Sequence, residues 1–417
     1  MAEFSPTDAL KSSTVVSRPW LSIVGIGEDG RAGLSPAALA ALEGAKFVVG
    51  GRRHLELAGP LKAETTSWPS PIDDGYAAIL ERRGSPVCVL ATGDPFHHGV
   101  GSTLAKHVAP DEMICFPQAS SFSLAAARMG WALQDCVAIS LHGRALTRIV
   151  PSLHPRARIL ALSWDATTPA HLAALLTETG FPASHLTVLE RMGGPYERRR
   201  TTTADAFDLA DIDALNLIAV EVVARPDARI VPLTPGLHDG WFESDGQITK
   251  SDIRALTLQA LRPTMGETLW DIGAGSGSVA IEWTVRHLAN RAYAIEAEPE
   301  RAARIGRNAE RFGATGLDVI VGRAPAALAD LPRPDAVFIG GGLTTEGVFE
   351  TAWEALDPGG RLVANAVTLE SEARLQALFA AHGGSMRRIS IARLDPVGRF
   401  HGWRPAMPVT QWQVVKP

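Results

Sequence analysis

Short apolar runs alternate with helical patterns along almost the whole chain, and this alternation predicts α/β architecture with largely parallel sheets. An Ala-rich segment at 36–42 and the pattern at 169–179 predict helices in the first half. The strands of this half are predicted at 20–25, 46–49, 86–91, 159–163, 185–190 and 214–223.

The pattern becomes more regular after residue 250. A helix is predicted at 251–261, and strand–helix repeats follow it, with strands at 268–272, 291–295, 317–321, 335–339 and 360–366. Two last strand-like runs, 388–394 and 406–415, predict an antiparallel hairpin at the sheet edge. This order predicts a Rossmann-like open sheet in the second half.

Residues 226–246 interrupt the periodic pattern with prolines and glycines, which is typical of a linker between folding units. We therefore expect one domain at 19–235, made of two α/β lobes with a break near 118–135, and a second domain at 236–417. The polar segment at 1–18 lacks the apolar core of a signal peptide, and we predict that it is a disordered leader.

Composition narrows the class of function. Of the 417 residues, 46% are hydrophobic and 20% are charged, and the formal net charge of −5 argues against nucleic acid as a partner. No apolar run is long enough to span a membrane. Cys88, Cys115 and Cys136 match no metal motif and are predicted to be thiols in a reducing cytoplasm, so we expect a cytoplasmic protein without a metal site.

A glycine-rich turn is the clearest chemical signal, in Trp270-Asp-Ile-Gly-Ala-Gly-Ser-Gly-Ser-Val-Ala280. A strand ends in this turn and a helix opens from it, so Gly273, Gly275 and Gly277 allow the backbone to approach a nucleotide cofactor. Glu296, at the end of the next strand, is placed to accept both ribose hydroxyls. Position 278 is Ser, and this spacing suits S-adenosylmethionine (SAM) better than a dinucleotide.

Other positions of the second half fall where the same cofactor and its substrate are expected. Ala324 follows the third strand, at the predicted adenine edge. Thr249 and Lys250 precede the first helix, and they either belong to its start, where Thr249 or Ser251 caps it, or form a lid over the cofactor. Gly341 and Gly342 end the fourth strand and either form a turn or leave room for a flat substrate. Asn365, at the end of the fifth strand, either touches substrate or holds a turn, and the turn is favoured.

The first half carries a second glycine pattern, Gly25-Ile-Gly-Glu-Asp-Gly30. Its spacing also satisfies the dinucleotide pattern, which requires an acidic residue at the end of the next strand. That strand instead ends in Gly50-Gly-Arg-Arg53, so only an NADP-like interpretation stays open. An NADP-linked oxidoreductase is therefore one alternative function for the chain.

Several motifs of this half resemble, in order and spacing, the tetrapyrrole methylase family. They are Gly25-x-Gly27, Thr92-Gly-Asp-Pro95, Pro117-Gln-Ala-Ser-Ser121, Ser140-Leu-His-Gly-Arg144 and Glu190-Arg-Met-Gly-Gly-Pro-Tyr-Glu197. The resemblance implies two α/β lobes with SAM folded between them. It implies a cofactor site at Gly25, Gly27, Gly93, Asp94, Ser120 and Ser121, and substrate contacts from His142 and Arg144.

The second half, with Ile248-Thr-Lys-Ser-Asp-Ile-Arg254 leading into the glycine turn, resembles the decarboxylating precorrin methyltransferases. The two halves together imply two SAM sites, methylation of precorrin-6Y at carbons 5 and 15, and loss of carbon dioxide from the ring C acetate, giving precorrin-8 of cobalamin biosynthesis. The first half would methylate carbon 5, and the second half would perform the other two steps. A two-domain SAM methyltransferase with another substrate is the other alternative. We expect a homo-oligomer with a small-molecule tetrapyrrole substrate, and neither a nucleic acid nor a membrane partner.

Overall fold

A computed structural model describes residues 19–417, and the predicted leader at 1–18 lies outside this range. The chain divides into two units. The first contains the described residues up to His142 together with Arg156–Arg225, and the second contains Gly143–Pro155 and Pro226–Pro417. Across residues 19–417, no helix is long and apolar enough to cross a membrane.

The first sheet of the first unit is parallel throughout, in the order β3-β2-β4-β1-β5. Its strands are β1 (Leu21–Ile26), β2 (Phe47–Gly50), β3 (Glu64–Ser67), β4 (Val87–Thr92) and β5 (Met113–Phe116). Leu21 and Ile23 face one hydrophobic cluster, and Val24 and Ile26 face another, so β1 is buried on both sides. Parallel pairing brings the carboxyl ends of β1, β4 and β5 to one edge.

The second sheet of this unit is mixed, in the order β6-β7-β10-β8-β9. Its strands are β6 (Cys136–Ser140), β7 (Arg158–Leu162), β8 (His185–Glu190), β9 (Arg198–Thr203) and β10 (Asn216–Glu221). Only β6 and β7 pair in parallel. The predicted lobe break near 118–135 falls between the last strand of the first sheet and the first strand of this one.

The α-helices of the first unit connect these strands. They are α1 (Pro36–Gly44), α2 (Arg52–Ala58), α3 (Asp73–Leu80), α4 (Gly101–Leu104), α5 (Ser121–Met129) and α6 (Thr168–Thr179). Ser35 caps α1 through its side chain, and Ser120 caps α5 by accepting the backbone N–H of Ser123 at 3.2 Å. The short 3₁₀ helices within residues 19–417 are Gly30–Gly33, Pro110–Glu112, Leu133–Asp135, Leu146–Ser152, Asp239–Trp241 and Ala326–Leu328.

The second unit contains a seven-stranded sheet in the order β13-β12-β11-β14-β15-β19-β16, in which only β19 runs against the others and pairs antiparallel with both β15 and β16. The strands of this unit are β11 (Thr268–Ile272), β12 (Arg291–Glu296), β13 (Leu317–Val321), β14 (Ala336–Ile339), β15 (Arg361–Ala366), β16 (Ser385–Ile389), β17 (Ala392–Val397), β18 (Phe400–Pro405) and β19 (Val409–Val415). The helices are α7 (Ser251–Leu261), α8 (Ser278–Val285), α9 (Pro299–Phe312), α10 (Val348–Ala355) and α11 (Leu369–His382). The Rossmann-like α/β architecture predicted for this half is confirmed.

The predicted C-terminal hairpin is wrong in detail. β16 and β19 do pair antiparallel, but β16 ends at Ile389, and a separate two-stranded hairpin of β17 and β18 lies between them. The prediction ran one strand from 388 to 394, across the break that separates β16 from β17. The run 388–394, Arg-Ile-Ser-Ile-Ala-Arg-Leu, largely alternates polar and apolar residues across the break, so the pattern alone does not reveal it.

Candidate functional site

A cavity of about 660 Å³ lies at the carboxyl ends of the parallel strands of the second unit. This is the edge at which open α/β sheets bind ligands. Eight residues predicted to bind cofactor or substrate line the cavity: Thr249, Lys250, Gly273, Gly275, Glu296, Ala324, Gly341 and Gly342. The structure therefore brings together residues that lie far apart in the sequence.

The glycine turn between β11 and α8 forms one wall of this cavity. Gly273 has a φ of 72°, and a Cβ atom there would lie 2.7 Å from the backbone of Gly341. A side chain at this position would thus be strained and would also push apart the ends of β11 and β14. Gly277 does not line the cavity; it precedes α8 and packs against Ile305 of α9.

Glu296 ends β12 beside this turn, and its side chain is held by the backbone. One carboxylate oxygen accepts the N–H of Gly275 at 2.9 Å, and the other accepts the N–H of Glu298 at 3.0 Å. Only 6% of the residue is exposed. Each oxygen keeps a lone pair beyond these bonds, so a carboxylate in this orientation suits a pair of neighbouring hydroxyl groups.

Asp271 lies beneath the turn, fully buried within β11. Burial, together with the nearby carboxylate of Glu296, raises the pKa of Asp271 to about 7. One of its oxygens accepts the N–H of Ala280 at 3.0 Å, and the other has no hydrogen-bond partner. This carboxyl group is therefore closer to neutrality than an ordinary aspartate, and it anchors the start of α8.

Residues 236–250, which we call the cavity loop, contribute their last five residues, 246–250, to the lining of the cavity. Arg254 of α7 is fully buried, and its Nε atom donates to a carboxylate oxygen of Glu282 on α8 at 2.5 Å. Arg254 also donates to the carbonyl oxygens of Leu237 and Thr249, while Glu282 accepts the N–H groups of Gly236 and Leu237, each at 2.7 Å. One buried ion pair thus holds both ends of the loop.

Thr249 and Lys250 were predicted either to belong to the start of α7 or to form a lid over the cofactor. Lys250 is the N-cap residue of α7, but no side chain caps this helix, so the expected cap from Thr249 or Ser251 is wrong. Both Thr249 and Lys250 line the cavity. The carbonyl group of Thr249 is bound by Arg254 instead, which fixes the loop against the cavity.

Of the two interpretations of Asn365, the favoured one, that it holds a turn, is wrong. It lies within β15 and not in a turn, and it lines the cavity. Its side-chain amide donates to the hydroxyl oxygen of Thr257 at 3.0 Å and accepts from Gln411 at 2.9 Å. Its position near the end of a parallel strand was the one available signal for a ligand contact.

The predicted cofactor residues of the first unit gather at the carboxyl edge of the first sheet. Gly25 is near the end of β1, and Gly93 follows β4 with a φ of 56°. A Cβ atom on Gly25 would overlap the carbonyl oxygen of Gly93 and lie 2.8 Å from the backbone nitrogen of Gln118. The backbones after β1, β4 and β5 thus converge where only glycine fits.

Around this convergence lie the other residues that the first unit was predicted to use. Asp94 is half-buried, and its carboxylate accepts the N–H of Phe96 at 2.9 Å. Ser120 is the N-cap residue of α5, Ser121 is its first residue, and Gly27 follows β1. These groups present backbone N–H donors and hydroxyl groups at one place, which suits a polar, uncharged part of a cofactor.

A charged cluster supports this edge. Glu28, whose side chain is 8% exposed, pairs with Arg53 and, at 3.1 Å, with Arg191. Arg191 precedes β9 and Arg53 belongs to α2, so this carboxylate joins the two lobes of the first unit. Arg53 also donates to the hydroxyl oxygen of Thr92 at 3.0 Å. Because Arg53 is already paired with Glu28, it is not free for the phosphate of an NADP-like ligand.

His54 completes the support of this cluster. Its Nδ1 atom accepts the N–H of Gly51 at 3.2 Å, and its Nε2 atom lies 2.8 Å from the hydroxyl oxygen of Thr92. Burial, reinforced by the neighbouring Arg53, lowers the pKa of His54 to about 4. The imidazole is therefore neutral near pH 7, with its remaining proton on Nε2.

His142 and Arg144, the predicted substrate contacts of the first half, are both exposed and follow β6. His142 belongs to the first unit, whereas Arg144 lies in the segment assigned to the second. Neither makes a contact in the described chain that assigns it a substrate role, so both stay predictions.

Two family models match the chain. The model of tetrapyrrole (corrin/porphyrin) methylases matches residues 21–208, and that of the precorrin methyltransferase domain matches residues 240–416. The matches fall on the first and second units, respectively. They agree with the resemblances found in each half.

Curated relatives cover the whole chain or a part of it. The precorrin-6Y C(5,15)-methyltransferase (decarboxylating) of a Sinorhizobium species is 54% identical over 98% of this chain and 99% of its own. A probable cobalt-precorrin-6B C(15)-methyltransferase (decarboxylating) of Pyrobaculum calidifontis is 40% identical over 177 residues, which are 40% of this chain and 89% of that protein. Among solved structures, the C-terminal domain of precorrin-6Y C5,15-methyltransferase from Rhodobacter capsulatus is 49% identical, covers 45% of this chain and 100% of that one, and gives a TM-score of 0.43.

Proposed function

The chain belongs to the family of decarboxylating precorrin-6Y C(5,15)-methyltransferases, and from this membership we propose that it methylates precorrin-6Y at carbons 5 and 15 and removes the ring C acetate as carbon dioxide. The product would be precorrin-8, an intermediate of cobalamin biosynthesis. That the protein is a methyltransferase follows from both of its domain families. The family uses SAM as its methyl donor.

The proposal includes two SAM sites, one in each unit. In the second unit, the 660 Å³ cavity with Glu296 and the glycine turn carries the proposal most directly. In the first unit, support comes from the convergence of Gly25 and Gly93 at the sheet edge. The proposed cofactor residues are Gly25, Gly27, Gly93, Asp94, Ser120 and Ser121 in the first site, and Thr249, Gly273, Gly275, Glu296 and Ala324 in the second, where Gly277 shapes the turn without lining the cavity.

We assign carbon 15 methylation and decarboxylation to the second unit and carbon 5 methylation to the first. The support is that the Pyrobaculum relative, named for the carbon 15 and decarboxylating activities, matches over only 177 residues. This is the length of the precorrin methyltransferase match at 240–416. Lys250, Gly341 and Gly342 are the proposed substrate contacts there, and His142 and Arg144 are those of the carbon 5 reaction.

The geometry of the second site suits methyl transfer by alignment. A meso carbon between pyrrole-derived rings is enamine-like and already nucleophilic, so no dedicated base is needed to activate it. SAM, when bound, supplies the electrophilic methyl group. The chain contributes the close approach at Gly273 and Gly341 and the fixed carboxylate of Glu296, which together position the reactants.

Decarboxylation requires a different contribution from the protein. When the bond between the acetate methylene and its carboxylate breaks, carbon dioxide leaves and the electron pair enters the conjugated macrocycle, after which a proton is added to carbon. The far end of the cavity is lined by apolar residues such as Val367, Ile389 and Val409. An apolar wall withholds water from a carboxylate and thereby favours its loss as a neutral molecule.

The test uses the full chain with SAM and precorrin-6Y, followed by mass analysis and carbon NMR of the product made with labelled methyl groups. We expect two added methyl groups, at carbons 5 and 15, and loss of carbon dioxide. Glu296→Ala should abolish carbon 15 methylation, and Asp94→Ala should spare it. Loss of both methylations in both variants would contradict the two-site proposal, and a product without loss of carbon dioxide would contradict the proposed reaction.

We also propose a cytoplasmic homo-oligomer. The three cysteines are free thiols, as expected in a reducing compartment. The hairpin of β17 and β18 exposes large apolar side chains, with Phe400 at 66% and Trp403 at 72% exposure, which a second copy of the chain would cover. Light scattering should report a mass above that of one chain, and Trp403→Ser should lower it. A monomeric wild-type protein would contradict this proposal.

A further inference from the structure

Asn365 is the neutral hydrogen-bonding side chain at the end of the second cavity that β15, β16, β19 and the hairpin form. This end is also lined by Val367, Ile389, Ile391, Met407 and Val409, and by Arg393 and Ala406. Arg393 is paired with Asp252 of α7. An amide group in such a wall has an unfavourable free energy unless its polar atoms have hydrogen-bond partners. It therefore favours a ligand that places a matching polar atom beside it.

A chain of hydrogen bonds fixes the orientation of this amide. Arg387, on β16, can only donate, and its Nε and Nη2 atoms contact Oε1 of Gln411 at 2.9 and 2.6 Å. The amide nitrogen of Gln411 must therefore point the other way. It donates to Oδ1 of Asn365 at 2.9 Å and to the hydroxyl oxygen of Thr257 at 3.1 Å.

The same series of hydrogen bonds determines the orientation of the Asn365 amide. Since Oδ1 of Asn365 accepts from Gln411, its Nδ2 atom faces Thr257 and donates to the hydroxyl oxygen at 3.0 Å. That hydroxyl group in turn donates to the carbonyl oxygen of Ile253 at 2.8 Å. Thr257 and Gln411 are both buried, at 0% and 1% exposure, so water cannot easily replace these partners.

The hydrogen bonds made by Gln411, Thr257 and Asn365 use all but one of the N–H and O–H donors of these side chains. Gln411 has two N–H groups and both are used, and the single hydroxyl proton of Thr257 is used as well. Asn365 has two N–H groups, of which one is used by Thr257. Its second N–H is the donor left over, and it belongs to the one member of the amide pair that lines the cavity.

We propose that Asn365 donates this N–H to a carboxylate oxygen on the edge of the substrate and so sets the rotation of the macrocycle above the methyl donor. The peripheral carboxylates are the acceptors that a tetrapyrrole would bring to such a wall. A neutral donor holds a carboxylate without the strong charge stabilisation of an arginine, which suits a site where one carboxylate must be lost. Gln411, Thr257 and Arg387 are positioning residues that act through Asn365. The inference rests on the proposed function of this cavity.

The test measures kcat/KM of the full chain for precorrin-6Y, scored by carbon 15 methylation, together with the Kd for SAM. Asn365→Ala removes the donor and should lower kcat/KM by about 10- to 100-fold, the effect expected of a hydrogen bond to a charged group. Thr257→Val removes the acceptor of one N–H group of Asn365 and of one N–H group of Gln411, so the amide is held by fewer bonds, and kcat/KM should fall by about 5- to 10-fold. Thr257→Ser, which keeps the hydroxyl group, should restore most of this loss.

Thr284→Val is the matched control. Thr284 is a buried threonine of α8 whose hydroxyl group also bonds to its own helix, and it does not line the cavity. Lowered kcat/KM for Asn365→Ala and Thr257→Val, with an unchanged SAM Kd and a near-normal Thr284→Val protein, supports the inference. Unchanged kcat/KM in Asn365→Ala, or an equal loss in Thr284→Val, overturns it. A wild-type chain that binds SAM but does not methylate precorrin-6Y contradicts the proposed function instead.

Discussion

The two proposed cofactor sites are built in opposite ways. The site of the second unit comes mainly from one continuous stretch, in which β11, its glycine turn, α8 and β12 place Gly273, Gly275 and Glu296 side by side. The site of the first unit is assembled from the ends of β1, β4 and β5 and the start of α5. The first kind of site can be recognised from a local motif, whereas the second kind is visible only when distant motifs are combined.

The supports of the two sites also differ. The cavity loop of the second unit is held by Arg254 and Glu282, both with no exposed side-chain surface. The loop after β1 is held by Glu28, whose partners Arg53 and Arg191 are 30% and 35% exposed. Breaking a fully buried ion pair leaves a charge without water, whereas the exposed partners of Glu28 are still solvated when it is removed. We therefore expect that loss of the Arg254–Glu282 pair disturbs the second site more than loss of Glu28 disturbs the first site.

The largest expected effect comes from adding a methyl group at the close backbone contacts. Gly273→Ala should push against Gly341 in the second site, and Gly25→Ala should push against Gly93 in the first. Displacement of either backbone by a fraction of an ångström should lower the methylation at that site by about 100-fold or more. Calorimetry with SAM should then find one binding event where the wild type has two.

Two other glycines provide controls for these variants. Gly44 ends α1 and Gly306 lies within α9, and a Cβ atom on either would meet nothing within 4 Å. Alanine at these positions should keep both methylations. If Gly25→Ala and Gly273→Ala each remove both SAM-binding events, the two sites are not independent and the comparison fails.

The next largest effect is expected at the buried ion pair. Arg254→Leu removes the close cation of buried Glu282, leaving only Arg286 at 4.0 Å, and should lower the free energy of unfolding by about 3–5 kcal/mol, as measured by urea denaturation. SAM binding in the second site should weaken because the cavity loop loses its anchors at Leu237 and Thr249. Carbon 5 methylation at permissive temperature should be retained, and its loss would argue against separate supports. The double variant Arg254→Leu/Glu282→Leu should recover part of the lost stability.

A third effect concerns pH and the carboxyl group beneath the second glycine turn. Burial raises the pKa of Asp271 from 3.8 to about 7, so the folded state binds a proton that the unfolded state releases. Its contribution to stability is thus complete below pH 4 and is lost as the pH rises to about 7. Urea unfolding of Asp271→Asn, relative to wild type, should therefore gain on the order of 2–4 kcal/mol between pH 4 and pH 8. Asp318→Asn, on exposed β13, is the control, and equal pH dependence of both variants would contradict the assignment.

The smallest effect is expected at the support of the first site. Glu28→Gln keeps the side-chain shape but removes the charge between Arg53 and Arg191. Carbon 5 methylation should fall by about 10-fold, because half-exposed partners screen most of the lost attraction, and carbon 15 methylation should not change. Glu43→Gln, in the surface pair with Arg31, serves as the control. An equal loss of carbon 5 methylation in Glu28→Gln and of carbon 15 methylation in Arg254→Leu would contradict the proposed difference between the two supports.

Much of the fold was predictable because most strands are buried on both faces. The predicted strands 268–272 and 185–190 match the buried strands β11 and β8 in their bounds. The strands that were missed are edge strands such as β3, whose four residues are all exposed, and β9, which begins with three arginines. These edge strands form by hydrogen bonding to a neighbouring strand, and their sequences show no apolar periodicity that would reveal this pairing.

The site was predictable where chemistry follows a local motif and not where it follows packing. Glu296 and the glycine turn could be named because their spacing is set by one strand–turn–helix unit. For Asn365 a turn was favoured over a substrate contact, because its partners, Thr257 and Gln411, lie 108 and 46 residues away and gave no local signal. Arg254 likewise carried no signal of its buried role, since its partner Glu282 is 28 residues away on another helix.

The hairpin of β17 and β18 has a consequence for how this enzyme can change. Ile389 and Val409, which flank it, are register partners of the antiparallel pair β16 and β19. A short turn between these two residues would close the sheet without the hairpin, so residues 390–408 can be lengthened, replaced or deleted at little cost to the core. Yet the base of this arm, at Ile391 and Met407, borders the cavity. Changes in this hairpin can therefore alter the shape of ligand that the cavity accepts, while the seven-stranded sheet stays the same.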